Sequence, residues 1–160
     1  MSVFLSWWLL LQNTFWAGIV ALGIAILFNV PVRTLFACAL SGAVAFAVRT
    51  GLMQVGLVGL EAATLAGATV VGFLGVVFGR RWHAPAPVFV VPGVIPLVPG
   101  ALAFNTMIDI LILTTGASSV SETLLAETIV NSTKTALIVC AIAGGIAAPS
   151  LLLHRHRPVT

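Results

Sequence analysis

Apolar residues run almost unbroken along this chain, and the polar or turn-forming positions that interrupt them recur at about one membrane thickness. A hydrocarbon core of about 30 Å takes about 20 apolar helical residues to cross. Residues 7–28 meet that length and are closed by Asn29, Val30 and Pro31, with Arg33 just beyond. Residues 34–55 predict a second span, ended by a glycine-bounded turn from Gly56 to Gly59. Glu61 opens a third, over 61–79, which stops at Gly79-Arg80-Arg81-Trp82. The last helix is expected over 121–153, with Ser119 and Glu122 in capping-box spacing before it. It is longer than one crossing requires, so its first turns project from the membrane or the helix tilts.

Residues 83–116 fit neither one span nor two. These 34 residues would measure about 50 Å as a helix, too long for one crossing and too short for two with a loop. Inside them lies Pro92-Gly-Val-Ile-Pro96-Leu-Val-Pro99-Gly100. Proline lacks a backbone donor and its ring clashes with the preceding turn, so three prolines in eight residues exclude a regular helix. A half-helix over 88–98 is therefore expected, then a break at Pro99-Gly100, then a helix over 101–115. The fold class that follows is an all-α polytopic membrane protein with about five transmembrane helices, the fourth broken over 88–115, in a single domain covering 1–160. Irregular backbone persists within a bilayer only where protein or a water-filled cavity satisfies it. Transporters place such breaks around their substrate. Pro96, Pro99 and Gly100 are thus candidates for a substrate pathway, against the plainer reading of a kinked anchor.

Composition agrees: 60% of the 160 residues are hydrophobic and 7% charged, where a soluble domain carries roughly a quarter. The net charge of +3 comes from basic residues at the ends of apolar runs, a topology signal and not a nucleic-acid surface. With five crossings, Arg33, Arg80, Arg81, Arg155 and Arg157 all fall on one face, while the opposite loops hold no Lys or Arg. The rule that positive loops stay inside then puts the N-terminus outside and the C-terminus in the cytoplasm. No Lys or Arg precedes Arg33, so the first span reads as a retained anchor and not a signal peptide. Cys38 and Cys140 lack metal-ligand spacing and read as small packing residues. His83, His154 and His156 stand beside arginines and read as interfacial. No phosphate-binding loop, dinucleotide fingerprint, zinc motif or nucleophile elbow occurs. The expectation is no metal, no cofactor and no enzyme.

Small residues recur at helical spacing: Ala17, Ala21 and Ala25 in the first span, Ala37, Ser41 and Ala45 in the second, Gly75 and Gly79 in the third. Such stripes let helices approach closely, within one chain or between copies. Ionisable groups inside the membrane are functional candidates by default. Arg49 could grip a substrate carboxylate bidentately, or snorkel to an interface. Asp109 and Lys134 could form an interhelical ion pair, or serve proton coupling and gating. Asn105 and Asp109 share a face of the helix beginning at Gly100, whose N-terminal amides favour an anion. Asn105 and Thr106 are therefore candidate substrate contacts. Asn131 belongs to a polar patch with Ser132, Thr133 and Thr135 on the last helix. Bonding to their own backbone is the alternative use of such side chains.

Two stretches carry a resemblance. Phe28-Asn-Val-Pro-Val-Arg33 with Cys38-Ala-Leu-Ser-Gly42, and Val94-Ile-Pro-Leu-Val-Pro-Gly100, resemble the threonine/serine exporter family, specifically its small split subunit. Arg49, Asn131, Pro149 and the tail ending Arg157-Pro158 also fall where that pattern would put them. The resemblance implies half of a secondary exporter in a bacterial inner membrane. It further implies a larger membrane subunit of the same family as partner, and a small anionic or zwitterionic metabolite as cargo: threonine or serine, or succinate for split pairs. Asp109 and Lys134 are not tied to the family pattern.

Overall fold

The computed structural model describes residues 2–56, 58–115 and 122–154. Six α-helices follow in order: α1 Ser2–Leu27, α2 Leu35–Gln54, α3 Leu60–Trp82, α4 Pro87–Val94, α5 Gly100–Thr115 and α6 Glu122–His154. Single 3₁₀ turns lie at Val32–Thr34 and Ile95–Leu97. No strand occurs among the described residues. Among the described residues, four segments are long and apolar enough to cross a membrane: Trp7–Leu27, Val32–Gln54, Leu60–Trp82 and Thr123–Leu152. The segment Pro87–Leu97 meets α5 at a 61° bend, and counting that pair as one broken span gives five. The all-helical fold with a broken fourth element is the one the hydrophobic pattern predicts. Ser119, the first residue of the expected capping box, and the tail arginines lie outside the described residues.

Two helix ends explain how the spans reverse. Asn29 takes a left-handed φ of 54°, and the Val30 amide reaches back to the Ala25 carbonyl at 3.0 Å. His83 does the same at φ 51°, with the Ala84 amide on the Gly79 carbonyl at 3.1 Å. Both are Schellman-type closures, which satisfy carbonyls that a helix end leaves free. His83, read from sequence as merely interfacial, is therefore the C-cap of α3.

Lipid is as apolar as leucine, so membrane helices associate through close packing and not through a hydrophobic drive. The stripes serve that packing here. Ala17, Ala21 and Ala25 are buried, and a Cβ added to Gly42 would collide with Ala21. Ala37, Ser41 and Ala45 are likewise buried, and Gly93 of α4 lies so close to α2 that a Cβ there would stand 2.9 Å from the Ser41 Cβ. In α6, Pro149 has no amide for the Gly145 carbonyl. That carbonyl lies 3.2 Å, and the Pro149 ring 2.9 Å, from where a Gly72 Cβ would be. The stripes are thus occupied within the chain and supply no argument for an oligomer. A core of Ala45, Ala68, Val71, Val90, Val94, Leu97, Ile138 and Ile142 ties α2, α3, α4 and α6 together through the break.

Gly75 gives a direct test. Its absent Cβ would overlap the Val90 side chain, whereas a Cβ on Gly23 would meet nothing within 4 Å. Gly75→Leu should cost about 1–3 kcal/mol or more by overpacking, and Gly23→Ala should be neutral. Heating the detergent-purified variants and measuring the fraction that stays monodisperse checks this; equal thermal resistance would contradict the α3–α4 packing described.

Candidate functional site

The broken element is built by its prolines. Pro92 lies inside α4 and cannot donate to the Val88 carbonyl one turn earlier. The Cys38 thiol of α2 donates to that carbonyl instead, at 3.4 Å. Cys38 therefore bonds the backbone next to a proline as well as packing. A carbonyl four residues before an intramembrane proline was the only sequence signal that could have revealed this. After α4 the chain tightens into the 3₁₀ turn, and Val98 turns extended at φ −64°, ψ 127°. A proline disfavours helical geometry in the residue before it, so Pro99 accounts for Val98. The Leu97 carbonyl is then cut off from any continuing helix. Arg49 reaches across from α2 and donates Nη1 to it at 3.0 Å.

Arg49 thus turns inward onto the break and does not run along α2 toward an interface. Its guanidinium carbon stands 4.9 Å from the Phe46 ring centroid, a favourable place for a cation. Its Nε is buried and has no hydrogen-bond partner. One edge of the guanidinium is therefore anchored to backbone and another is unsatisfied. An anion is the complement of that arrangement, since a carboxylate accepts two parallel bonds from a guanidinium.

The remaining sequence-derived candidates are placed as follows. Pro96 packs beside Gly42, its Cγ 3.6 Å from where a Cβ on that glycine would lie. Gly100 begins α5, and a Cβ there would meet nothing within 4 Å, so close packing does not require glycine at this position. Its amide bonds the Val98 carbonyl at 2.9 Å, and the Ala103 amide bonds the Pro99 carbonyl at 3.0 Å. Asn105 is exposed, Asp109 half-buried and Thr106 buried on α5. The Thr106 hydroxyl donates to its own helix at Leu102 O, 2.8 Å away. α5 packs on α6, where Asn131 is half-buried and Lys134 exposed. Thr133 and Thr135 of the polar patch bond their own backbone. The structure therefore brings Arg49, Pro96 and Leu97 together with Phe46, which sequence reasoning missed. Asn105, Asp109, Asn131 and Lys134 stand on the α5–α6 pair. Among the described residues no hydrogen bond or ion pair joins Asp109 to Lys134 or Arg49 to Asn105.

A helical membrane domain whose one intramembrane arginine clasps a proline-broken span has the character of a transport-protein domain. Comparison with known proteins agrees: the family described as threonine/serine exporter matches residues 13–152, and the chain belongs to that family. A Haemophilus influenzae protein described only as uncharacterized is 35% identical over 150 residues, covering 94% of this chain and 50% of its own length. The chain thus spans about half the length of that relative. No solved structure matches.

Proposed function

We propose that this chain is one half of a secondary exporter for small carboxylate metabolites, and that it works with a larger membrane subunit of the same family. The observation that carries this reading is the Arg49 guanidinium, anchored by the Leu97 carbonyl with an unpaired edge beside the broken span. Threonine and serine, the cargo for which the family is named, each have one carboxylate for that edge; a succinate-type dicarboxylate meets the same requirement. Pro96, Pro99 and Gly100 hold the backbone open, and Asn105, Thr106 and Asn131 line the continuation of the path. Asp109 is the proposed coupling carboxylate, with the proton as coupling ion, and Lys134 is given a gating role. The half-length match to the Haemophilus influenzae protein supports a partner that supplies the other half. Self-association is the second arrangement that would complete such a pathway.

Efflux from bacteria that accumulate threonine or succinate, producing this chain with and without the larger family subunit, tests the reading. Export is expected only from the pair, and the two should co-purify. Full efflux from liposomes holding this chain alone would remove the partner, and no efflux of either compound from the pair would remove the exporter. Orientation is tested in the same cells. Cysteines introduced at Ser2 and Ser119 should label from outside and one at Thr160 only after permeabilisation; Ser2 and Thr160 on one side would sink the five-span topology.

A further inference from the structure

One face of α6 is covered over only part of its length. Ile138, Gly145 and Pro149 are buried on it, and it packs on α3. A Cβ on Gly145 would stand 2.7 Å from the Ala68 Cβ, and one on Gly72 would stand 2.9 Å from the Pro149 ring. These contacts advance in the same direction along both helices, so α3 and α6 run parallel. Counted back from them at equal rise, the start of α3 at Leu60 lies level with about Ile138. The part of α6 before Ile138 therefore overhangs α3, by roughly 24 Å. Followed back along α6 at steps of four, three and four residues, the α3-facing side becomes Lys134, Asn131 and Glu127. Lys134 and Glu127 are exposed and Asn131 is half-buried. Among the described residues neither charged side chain has a hydrogen bond or ion pair, and two helical turns separate them.

The rest of the overhang is apolar. Besides α3, α5 is the helix that packs extensively on α6, and it accounts for the burial of Thr128 within the overhang. Phe104, Met107 and Leu111 of α5 and Ile129 of α6 are more than half exposed, a surface that belongs in lipid and not in water. The charged stripe on the same hairpin does not belong against lipid. A second copy of the chain does not suit it either. Copies inserted the same way round would set Lys134 against Lys134 and Glu127 against Glu127 wherever their stripes met, and like charges juxtaposed across an interface repel.

We propose that this overhanging face of α6 is the docking surface for the larger family subunit, and that the partner helix seated there carries an acidic residue opposite Lys134 and a basic residue opposite Glu127. The proposal rests on the exporter reading above and names the surface through which its two halves join. The partner helix takes the place along α6 that α3 leaves open before Leu60, so the new contact continues one that already exists. Glu127 and Lys134 lie about 10 Å apart along the helix axis, which sets their counter-charges about two turns apart on the partner helix. The Haemophilus influenzae relative continues for as long again as its matched half, chain enough to supply such a helix. Asn131, between the two charges, then faces the seam along which the proposed path runs. Lys134 gates that path through its counter-ion on the partner.

The test uses bacterial membranes in which both subunits are produced. A benzophenone amino acid in place of Glu127 should cross-link to the larger subunit on illumination. The same group in place of Ile129, on the opposite side of α6, should not. Lys134→Glu should lower the amount of larger subunit recovered with this chain about tenfold or more, because it sets like charges together, while Lys134→Arg should stay near wild type. Reversing one intramembrane acidic residue of the larger subunit should restore recovery with Lys134→Glu, a rescue that a lysine without a counter-ion on the partner would not give. Cross-linking is read on assembled protein, so it decides the matter even where Lys134→Glu fails to insert. In a pair that co-purifies and exports, three results would overturn the surface and leave the exporter reading intact. They are cross-links from Ile129 as strong as those from Glu127, cross-links from Glu127 only to a second copy of this chain, and full recovery with Lys134→Glu. A wild-type pair that neither co-purifies nor exports would instead end both.

Discussion

Arg49→Lys is expected to lower export by roughly a hundredfold with the protein still made and inserted. The lysine keeps the charge, so topology and bulk electrostatics are conserved. What it loses is the planar fork that lets one group hold the Leu97 carbonyl at 3.0 Å and still offer a second edge, the unpaired Nε. An ammonium is a point charge on a flexible stem and cannot do both in fixed geometry. A charge-assisted bond to a carboxylate contributes about 1.5–3 kcal/mol, which converts to the roughly tenfold to hundredfold range; release of the break adds to that. Arg49→Ala should be at least as severe. Rates of efflux normalised to membrane-inserted protein decide the matter. Near-normal export by Arg49→Lys would reduce Arg49 to a generic positive charge and remove the main support for the site.

Straightening the break should have an effect of similar size through a different cause. Pro99 holds Val98 extended, and that residue terminates the helical ladder after the 3₁₀ turn. Pro99→Ala removes the restraint, and combined with Pro96→Ala it lets the segment from α4 to α5 propagate as one helix. The Leu97 carbonyl would then be claimed by an amide four residues on, and the 61° bend would relax. Gly100 needs no change, because a Cβ there meets nothing. Export is expected to be lost while the complex still assembles, and Arg49→Ala should add little in this background, since the two act on one contact and will not be additive. A double-proline variant that exports normally would make the break a structural kink. Full additivity with Arg49→Ala would separate the arginine from it.

Much of this architecture could be read directly from residue types. Long apolar runs punctuated by Asn29-Val30-Pro31, Gly56–Gly59 and Gly79-Arg80-Arg81 define the helices, because a bilayer demands internally bonded segments of a set length. The proline spacing announced the break for the same local reason: a missing amide acts wherever it lies. Even Arg49 stood out, since a charge within an apolar run is rare enough to be noticed without a structure.

What lay outside the reach of sequence was which groups face each other across helices. Nothing local told that the Cys38 thiol would donate to Val88 O, that the Ala and Gly stripes would be used within the chain, or that Phe46 would carry the guanidinium. Nor did it reveal that the Thr14 hydroxyl oxygen would be buried without the back-bond that Thr64 and Thr106 make to their own helices. These are consequences of helix rotation and crossing, which a membrane leaves to packing because lipid exerts no strong preference among apolar faces. Composition and periodicity therefore determined the spans, the break and the charged candidate. Tertiary packing alone decided that the charge closes on the break, because only the approach of α2 to a carbonyl stripped of its helical donor makes that hydrogen bond possible.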